Sequence, residues 1–131
     1  MRRALIIDDD MLQIMTTRAL LESIGFDTIC EASNGSEAED IIKALPPMDL
    51  ILLDLHMPDY DGIEFLDFLS AATCCTPIII ATAAADCVSR SAAIIAEARG
   101  MRLLGILNKP ITKKKLVSLW LGREYHEAVA S

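Results

Sequence analysis

The chain alternates between short apolar segments and longer segments in which apolar residues recur every three or four positions. The segments at 4–7 and 50–53 are apolar on both sides, which is typical of central strands in a parallel sheet covered by helices on both faces. The segment at 28–32 is partly polar and β-branched, which is typical of a strand nearer a sheet edge. The pattern predicts strands at 4–8, 28–32, 49–54, 77–82 and 103–107.

A segment with helical spacing follows each of these strands. The predicted helices are 11–24, 36–45, 63–69, 87–99 and a last one after residue 112. We expect Asp10 and Thr112 to act as N-caps of the first and last helices. The second helix is expected to begin with a capping box, with Ser36 as the N-cap and Glu39 three residues later.

Strands that alternate with helices indicate an α/β protein with a doubly wound parallel sheet. The flavodoxin-like strand order 2-1-3-4-5 is expected, and it places the first and third strands side by side. The sequence Asp8-Asp9 follows the first strand, and Asp54 ends the third. We therefore expect these carboxylates to meet in one crevice beyond the carboxyl ends of the strands.

Charge and hydropathy exclude several classes of protein. The formal net charge is −7, which disfavours binding to nucleic acid, and 53% of the residues are hydrophobic, which argues against disorder. The longest apolar stretches are far shorter than the ~20 residues that a membrane helix needs. We expect a cytoplasmic protein without membrane binding, with a single domain at 1–121 and an extension or linker start at 122–131.

The polar residues at the strand ends suit phosphoryl transfer to a carboxylate. Two unit charges 4 Å apart repel by roughly 4 kcal/mol at an effective dielectric of ~20, so clustered aspartates call for a hard divalent cation such as Mg²⁺. Asp54 would be the nucleophile, with Mg²⁺ held by Asp9 and Asp54. Lys109 would place a positive charge on one phosphoryl oxygen, and Thr82 would donate its hydroxyl to another.

The chain resembles the receiver (CheY-like) domain of two-component response regulators over essentially its whole length. The resemblance rests on Asp8-Asp9, Asp54 with Met57-Pro58 and Asp61-Gly62, Thr82-Ala83, and Lys109-Pro110, all in order and at strand ends. It implies that Asp54 is the phosphoacceptor and that Thr82 and Lys109 contact the phosphoryl group. It also implies that Asp9, Asp54 and the backbone carbonyl of His56 ligate Mg²⁺, and that Asp8 binds it through water.

The resemblance implies a regulator whose own chemistry is limited to accepting and losing a phosphoryl group. The phosphodonor would be a histidine kinase or a phosphotransfer protein. The output domain would lie in the same chain or in a partner protein.

Two features concern the output. Receivers usually carry a tyrosine or phenylalanine, which swings inward on activation, at the position held here by Ile106. The segment 92–105 is similar to receivers that precede EAL-type cyclic-di-GMP phosphodiesterase domains. The first feature questions the usual switch, and the second suggests turnover of cyclic-di-GMP.

Three other functions are alternatives to the phosphoacceptor. A receiver that acts through fixed protein contacts without phosphorylation is one alternative, which Ile106 supports. A Mg²⁺-dependent aspartyl phosphatase of the haloacid-dehalogenase type would use Asp8 as nucleophile and Asp10 as acid and base, but Leu12 departs from its pattern. A flavin-mononucleotide-binding protein is disfavoured, because three aspartates after the first strand would repel the phosphate.

Overall fold

The computed structural model describes residues 2–55, 62–72, 76–83 and 87–130. Strands and helices alternate along these ranges, as the apolar pattern predicts. The strands are β1 (Arg3–Ile7), β2 (Thr28–Ala32), β3 (Leu50–Asp54), β4 (Ile78–Thr82) and β5 (Leu103–Asn108). The helices are α1 (Met11–Ser23), α2 (Gly35–Ala44), α3 (Gly62–Ala72), α4 (Cys87–Ala98) and α5 (Lys113–Ala130).

The strands form one parallel sheet in the order β2-β1-β3-β4-β5, so the predicted flavodoxin-like fold is confirmed. Ile7 of β1 lies opposite Leu53 of β3, and Asp54 lies opposite Ala81 of β4. The last residues of the three central strands therefore lie side by side at one edge of the sheet. The topological switch point, at which ligands bind in such folds, lies at this edge between β1 and β3.

Alternate residues of each central strand belong to two separate apolar layers, one on each face of the sheet. Leu5, Ile7 and Ile51 belong to the layer that includes α2, α3 and α4, with Phe65 fully buried in it. The second layer packs against α1 and α5 and contains these buried residues: Ala4, Ile6, Leu50, Leu52, Leu21, Leu116 and Trp120. Burial on both faces explains why these strands are apolar at every position.

Helix α1 begins as predicted. The side chain of Asp10 accepts a hydrogen bond of 3.0 Å from the backbone N–H of Leu12, so Asp10 is the N-cap. Thr112 caps α5 in the same way, with its hydroxyl accepting from the N–H of Lys115 at 3.3 Å. Local side-chain chemistry is therefore sufficient to place both helix starts.

The predicted capping box of α2 is wrong by two residues. Asn34 is the N-cap, and its side chain accepts a hydrogen bond of 2.8 Å from the N–H of Glu37. The Glu37 carboxylate in turn accepts from the hydroxyl and the backbone N–H of Ser33, and these bonds lower the pKa of Glu37. Ser36 and Glu39 fit the capping-box pattern equally well. The helix begins at Gly35, however, so Asn34 occupies the N-cap position.

The cap at Asp10 leads to a stability prediction. We expect Asp10→Ala to lower the free energy of unfolding by about 1 kcal/mol, because one N–H at the start of α1 loses its acceptor. Asp10→Asn should change it by only a few tenths of a kcal/mol, because asparagine caps equally well. Urea denaturation of the two variants measures the difference. Equal stability of the two variants would contradict the role of the cap.

The edge strand β5 carries an irregularity beside α5. Ile78 lies opposite Leu103 and Ile79 opposite Gly105, so Leu104 is an extra residue in the ladder. Gly105 has a φ of 157°, and a Cβ built there would lie 2.9 Å from Cδ2 of Leu119. Leu119 therefore packs directly on the main chain of Gly105.

Helix α5 continues through the boundary predicted at residue 121, since it spans Lys113–Ala130. Among the described residues, none of the helices has both the length and the apolar character needed to cross a membrane.

Candidate functional site

Three carboxylates converge at the switch-point edge of the sheet. Asp8 follows β1 directly, Asp54 is the last residue of β3, and Asp9 lies next to Asp8. One oxygen from each carboxylate lies within 4.8 Å of the others. Asp8 and Asp54 are each 5% exposed, whereas Asp9 is exposed. The strand register therefore brings together the aspartates that the sequence suggested, as a cluster open to solvent on the Asp9 side.

Lys109 places its ammonium group between the two buried carboxylates. Its Nζ donates to Oδ2 of Asp8 at 2.8 Å and to Oδ2 of Asp54 at 3.1 Å. Its backbone N–H donates to the carbonyl of Thr82 at 2.6 Å, which holds the end of β5 against β4. The long lysine side chain thus reaches from the end of the edge strand β5 across β4 to the carboxylates. The peptide bond between Lys109 and Pro110 is cis.

Asp8 is held from both sides of its carboxylate. Oδ1 accepts a hydrogen bond of 2.9 Å from the N–H of Asp10, and Oδ2 accepts from Lys109. The resemblance to receivers implied a water-mediated metal contact for Asp8. The direct ion pair with Lys109, a residue 101 positions away, was missed, because strand order alone does not give the reach of the lysine side chain.

Burial and crowding shift the pKa values of this cluster. Burial raises the pKa of the Asp8 carboxyl, and this effect outweighs the opposing hydrogen bonds from Lys109 and Asp10. Burial alone would lower the pKa of Lys109, but its bond to Asp8 and the charges of Asp54 and Asp8 together raise it. The ammonium therefore stays charged beside the carboxylates, and it does not neutralise all of them.

Thr82 lies next to this cluster. It is the last residue of β4, it is fully buried, and it follows Ala81, which lies opposite Asp54. His56, whose carbonyl was expected to bind metal, lies outside the described residues. The other predicted site residues, at positions 8, 9, 54, 82 and 109, all lie at or just beyond the carboxyl ends of the strands, on the same edge of the sheet.

The donor set of the cluster fits a hard cation. All of its acidic groups offer carboxylate oxygens, the ligands preferred by Mg²⁺. Three carboxylates facing one ammonium leave an excess of negative charge when all are ionised, and a divalent cation would balance it. Oδ1 of Asp10 accepts from the N–H of Leu12 and caps α1, a structural role that does not depend on phosphatase chemistry.

The family model described as the response regulator receiver domain matches residues 4–120. The chain belongs to this family. Receiver domains are regulatory modules, and an acidic pocket of this kind is typical of them. The receiver fold is also seen in the solved receiver domain protein of Methanospirillum hungatei JF-1, which aligns with all of this chain and 99% of that one, with 21% identity and a TM-score of 0.81.

Two curated proteins illustrate how receiver domains are used in longer chains. The transcriptional regulatory protein DcuR of Escherichia coli is 37% identical over 91 residues, which cover 68% of this chain and 38% of DcuR. The cyclic di-GMP phosphodiesterase RocR of Pseudomonas aeruginosa is 25% identical over 115 residues, which cover 88% of this chain and 29% of RocR. This receiver therefore spans about a third of the length of these relatives.

Proposed function

We propose that this receiver accepts a phosphoryl group on Asp54 from a histidine kinase or a phosphotransfer protein. The observation that carries the proposal is the contact of Lys109 Nζ with Asp54 Oδ2 at 3.1 Å inside a cluster of carboxylates. A carboxylate that is buried beside a fixed ammonium and open to a cation has what phosphoryl transfer needs, namely a nucleophile and positive charge.

The transfer assigns one role to each residue. A carboxylate oxygen of Asp54 forms a bond to phosphorus, while the bond from phosphorus to the donor imidazole nitrogen breaks and its electron pair stays on that nitrogen. Lys109 donates to a phosphoryl oxygen and stabilises its charge, and the hydroxyl of Thr82 donates to another. Asp8 keeps Lys109 in position through its 2.8 Å ion pair.

Asp9 and Asp54 would hold Mg²⁺, together with the carbonyl of His56, and Asp8 would bind it through water. When bound, the ion supplies positive charge next to the transferring oxygens. Asp9 suits this role because it is the exposed member of the cluster, so an ion can approach it from solvent.

The test is covalent labelling of the protein by acetyl phosphate with Mg²⁺, followed by intact mass spectrometry. We expect one added phosphoryl group per chain, and no labelling once a chelator removes the metal. Labelling that is equally fast in chelator would contradict the assigned metal site.

The metal ligand is tested by Asp9→Asn. We expect the Mg²⁺ concentration for half-maximal labelling to rise at least about tenfold, because a unit charge next to the ion is lost. Asp10→Asn is the matched control, since it replaces a carboxylate by an amide at the adjacent residue and keeps a side chain that caps α1. If both variants shift the Mg²⁺ requirement equally, Asp9 is not a specific ligand.

Turnover of cyclic-di-GMP is the proposed output. Two observations support it: the similarity to RocR over 88% of the chain, and the resemblance of residues 92–105 to receivers that precede EAL domains. The similarity to DcuR favours control of transcription as the second candidate. The reading frame beyond Ser131 distinguishes the two, since an EAL domain there would identify the first output and a DNA-binding domain the second.

The proposed domain comprises residues 1–121, and residues 122–131 are proposed to be a C-terminal extension or the start of a linker. The described part of that extension continues α5 as far as Ala130. Proteolysis that trims only the last residues and leaves labelling unchanged would support the boundary.

A further inference from the structure

A pocket lies at the amino ends of the strands, on the edge of the sheet opposite the acidic cluster. Its volume is about 310 Å³. Four of its lining residues directly precede a strand, and two others complete its polar and aromatic lining: Arg2, Asp49, Pro77 and Arg102, then Thr76 and Trp120. None of the roles proposed for the acidic cluster uses these residues.

The two arginines of this pocket come from strands that are not neighbours. Arg2 precedes β1 and Arg102 precedes β5, and both β3 and β4 lie between these strands. Neighbouring strands are ~4.8 Å apart, so the main chains of the two arginines are roughly 14 Å apart. Because both side chains line the same pocket, they enter it from opposite sides. The pocket therefore has a guanidinium group at each of two opposite walls.

Main-chain hydrogen bonds fix the position of both arginines. The backbone N–H of Arg2 donates to Oδ2 of Asp27 at 3.0 Å, and the backbone carbonyl of Arg102 accepts from the N–H of Ile78 at 2.9 Å. The Cζ atom of Arg2 also lies 5.6 Å from the centroid of the Trp120 ring, a cation–π contact. A ligand that pairs with these side chains therefore meets groups attached to rigid strand ends, which lowers the entropy cost of binding.

The space between the two arginines has an apolar floor. Met48 and Trp120 are 6% and 4% exposed, and Pro77 is buried beside them. One acidic residue, Asp49, also lines the pocket, and its Oδ2 accepts from the N–H of Arg3 at 2.7 Å. Two arginines and one aspartate leave a net positive charge on the lining. The complementary ligand is negative at both ends and apolar in the middle.

We propose that this pocket binds a small organic dianion, an α,ω-dicarboxylic acid. One carboxylate pairs with Arg2, the other pairs with Arg102, and the methylene chain lies over Met48 and Trp120. A guanidinium group matches a carboxylate with two parallel hydrogen bonds, whereas a single phosphate would place both charges at one wall of the pocket. The proposal goes beyond the phosphoacceptor function, because it depends on the opposite edge of the sheet and not on the chemistry of Asp54.

Trp120 is the only tryptophan of the chain, so its fluorescence reports on this pocket. The whole chain is titrated without Mg²⁺ and at constant ionic strength with glutarate, adipate and suberate, up to about 10 mM. We expect a saturable change, with half-saturation below about 1 mM for the dicarboxylate that fits best. Its monomethyl ester, inorganic phosphate and sulfate should each bind about tenfold more weakly, because each leaves one arginine without a carboxylate. Titration calorimetry measures the same affinities independently of the tryptophan.

Three variants locate the site. Arg102→Gln should weaken binding of the best dicarboxylate about tenfold or more, since one charge-assisted pair is lost. Arg90→Gln is the matched control, because it makes the same change at an exposed residue of α4 that does not line the pocket, and it should change binding less than about twofold. Asp49→Asn should strengthen binding about threefold, because it removes a negative charge and keeps an oxygen that can accept from Arg3. A pocket that was merely damaged would not bind more tightly.

Each other outcome overturns the proposal. These outcomes are the absence of a saturable response at about 10 mM dicarboxylate, equal binding of the monoester or of phosphate, equal effects of Arg90→Gln and Arg102→Gln, and unchanged or weaker binding by Asp49→Asn. The same titration on Asp54→Asn should show binding within about twofold of the parent chain, because the two sites lie at opposite edges of the sheet. Binding of the dicarboxylate by a protein whose Asp54 proves unreactive would separate failure of the phosphoacceptor assignment from failure of the pocket.

Discussion

Asp54→Asn should reduce covalent labelling by acetyl phosphate and Mg²⁺ to background. The amide nitrogen and oxygen are neutral and poorly nucleophilic, so no bond to phosphorus forms at this position. The substitution keeps the size of the side chain, so the neighbouring strands should stay in place. Intact mass spectrometry after incubation measures the labelled fraction directly, and this is the largest effect that we expect from a single substitution.

Asp40→Asn is the matched control, because it makes the same chemical change at an exposed position on α2. It should label at the parent rate. Labelling of Asp54→Asn at the parent rate would refute the assignment. A phosphoprotein that survives Asp54→Asn but disappears in Asp8→Asn would point instead to the phosphatase alternative, with Asp8 as nucleophile.

Lys109→Met should slow the labelling of Asp54 about a hundredfold. Methionine retains an unbranched apolar chain but has no charge and no donor, so one phosphoryl oxygen loses its partner in the transition state. The same change should leave the affinity for Mg²⁺ unchanged or increase it, since a nearby ammonium repels a dication. The rate is measured by quenched time points, and metal binding by titration calorimetry.

The combination of slower labelling with retained or increased Mg²⁺ affinity makes this prediction specific. A variant that had merely lost its structure would lose both. Lys113→Met serves as the control, because it removes an equal charge from an exposed residue of α5. Labelling of Lys109→Met at the parent rate, or a loss of Mg²⁺ binding that matches the loss of rate, would contradict the assigned role.

The central strands could be predicted because the apolar segments 4–7 and 50–53 suit burial on both faces of a sheet. Their order could be predicted because alternating strands and helices are typical of the flavodoxin-like arrangement. The start of α2 could not, because Asn34 with Glu37 and Ser36 with Glu39 are both good capping pairs. The choice between the two pairs depends on where β2 ends. It ends at Ala32, which pairs with Ile7 of β1, so the position is set by the sheet and not by local sequence.

The acidic cluster was predictable because its members follow strands that parallel topology must place together. The partner of Lys109 was not. Whether its ammonium group meets a phosphoryl oxygen or the Asp8 carboxylate depends on side-chain reach across β4, which strand order alone does not give. The irregularity of β5 was missed for a similar reason, since the packing of Leu119 on Gly105 has no signature in the sequence.

The apolar character of the central strands on both faces has a consequence for folding fidelity. A strand without polar alternation would tolerate sliding by one position, because every residue is acceptable to either layer. In β3 the apolar run is closed by Asp49 before it and by Asp54 at its end. Sliding in either direction would draw one carboxylate into the apolar sheet without a partner, at a cost of several kcal/mol. Asp54, which is assigned to the chemistry, therefore also fixes the register of β3 together with Asp49.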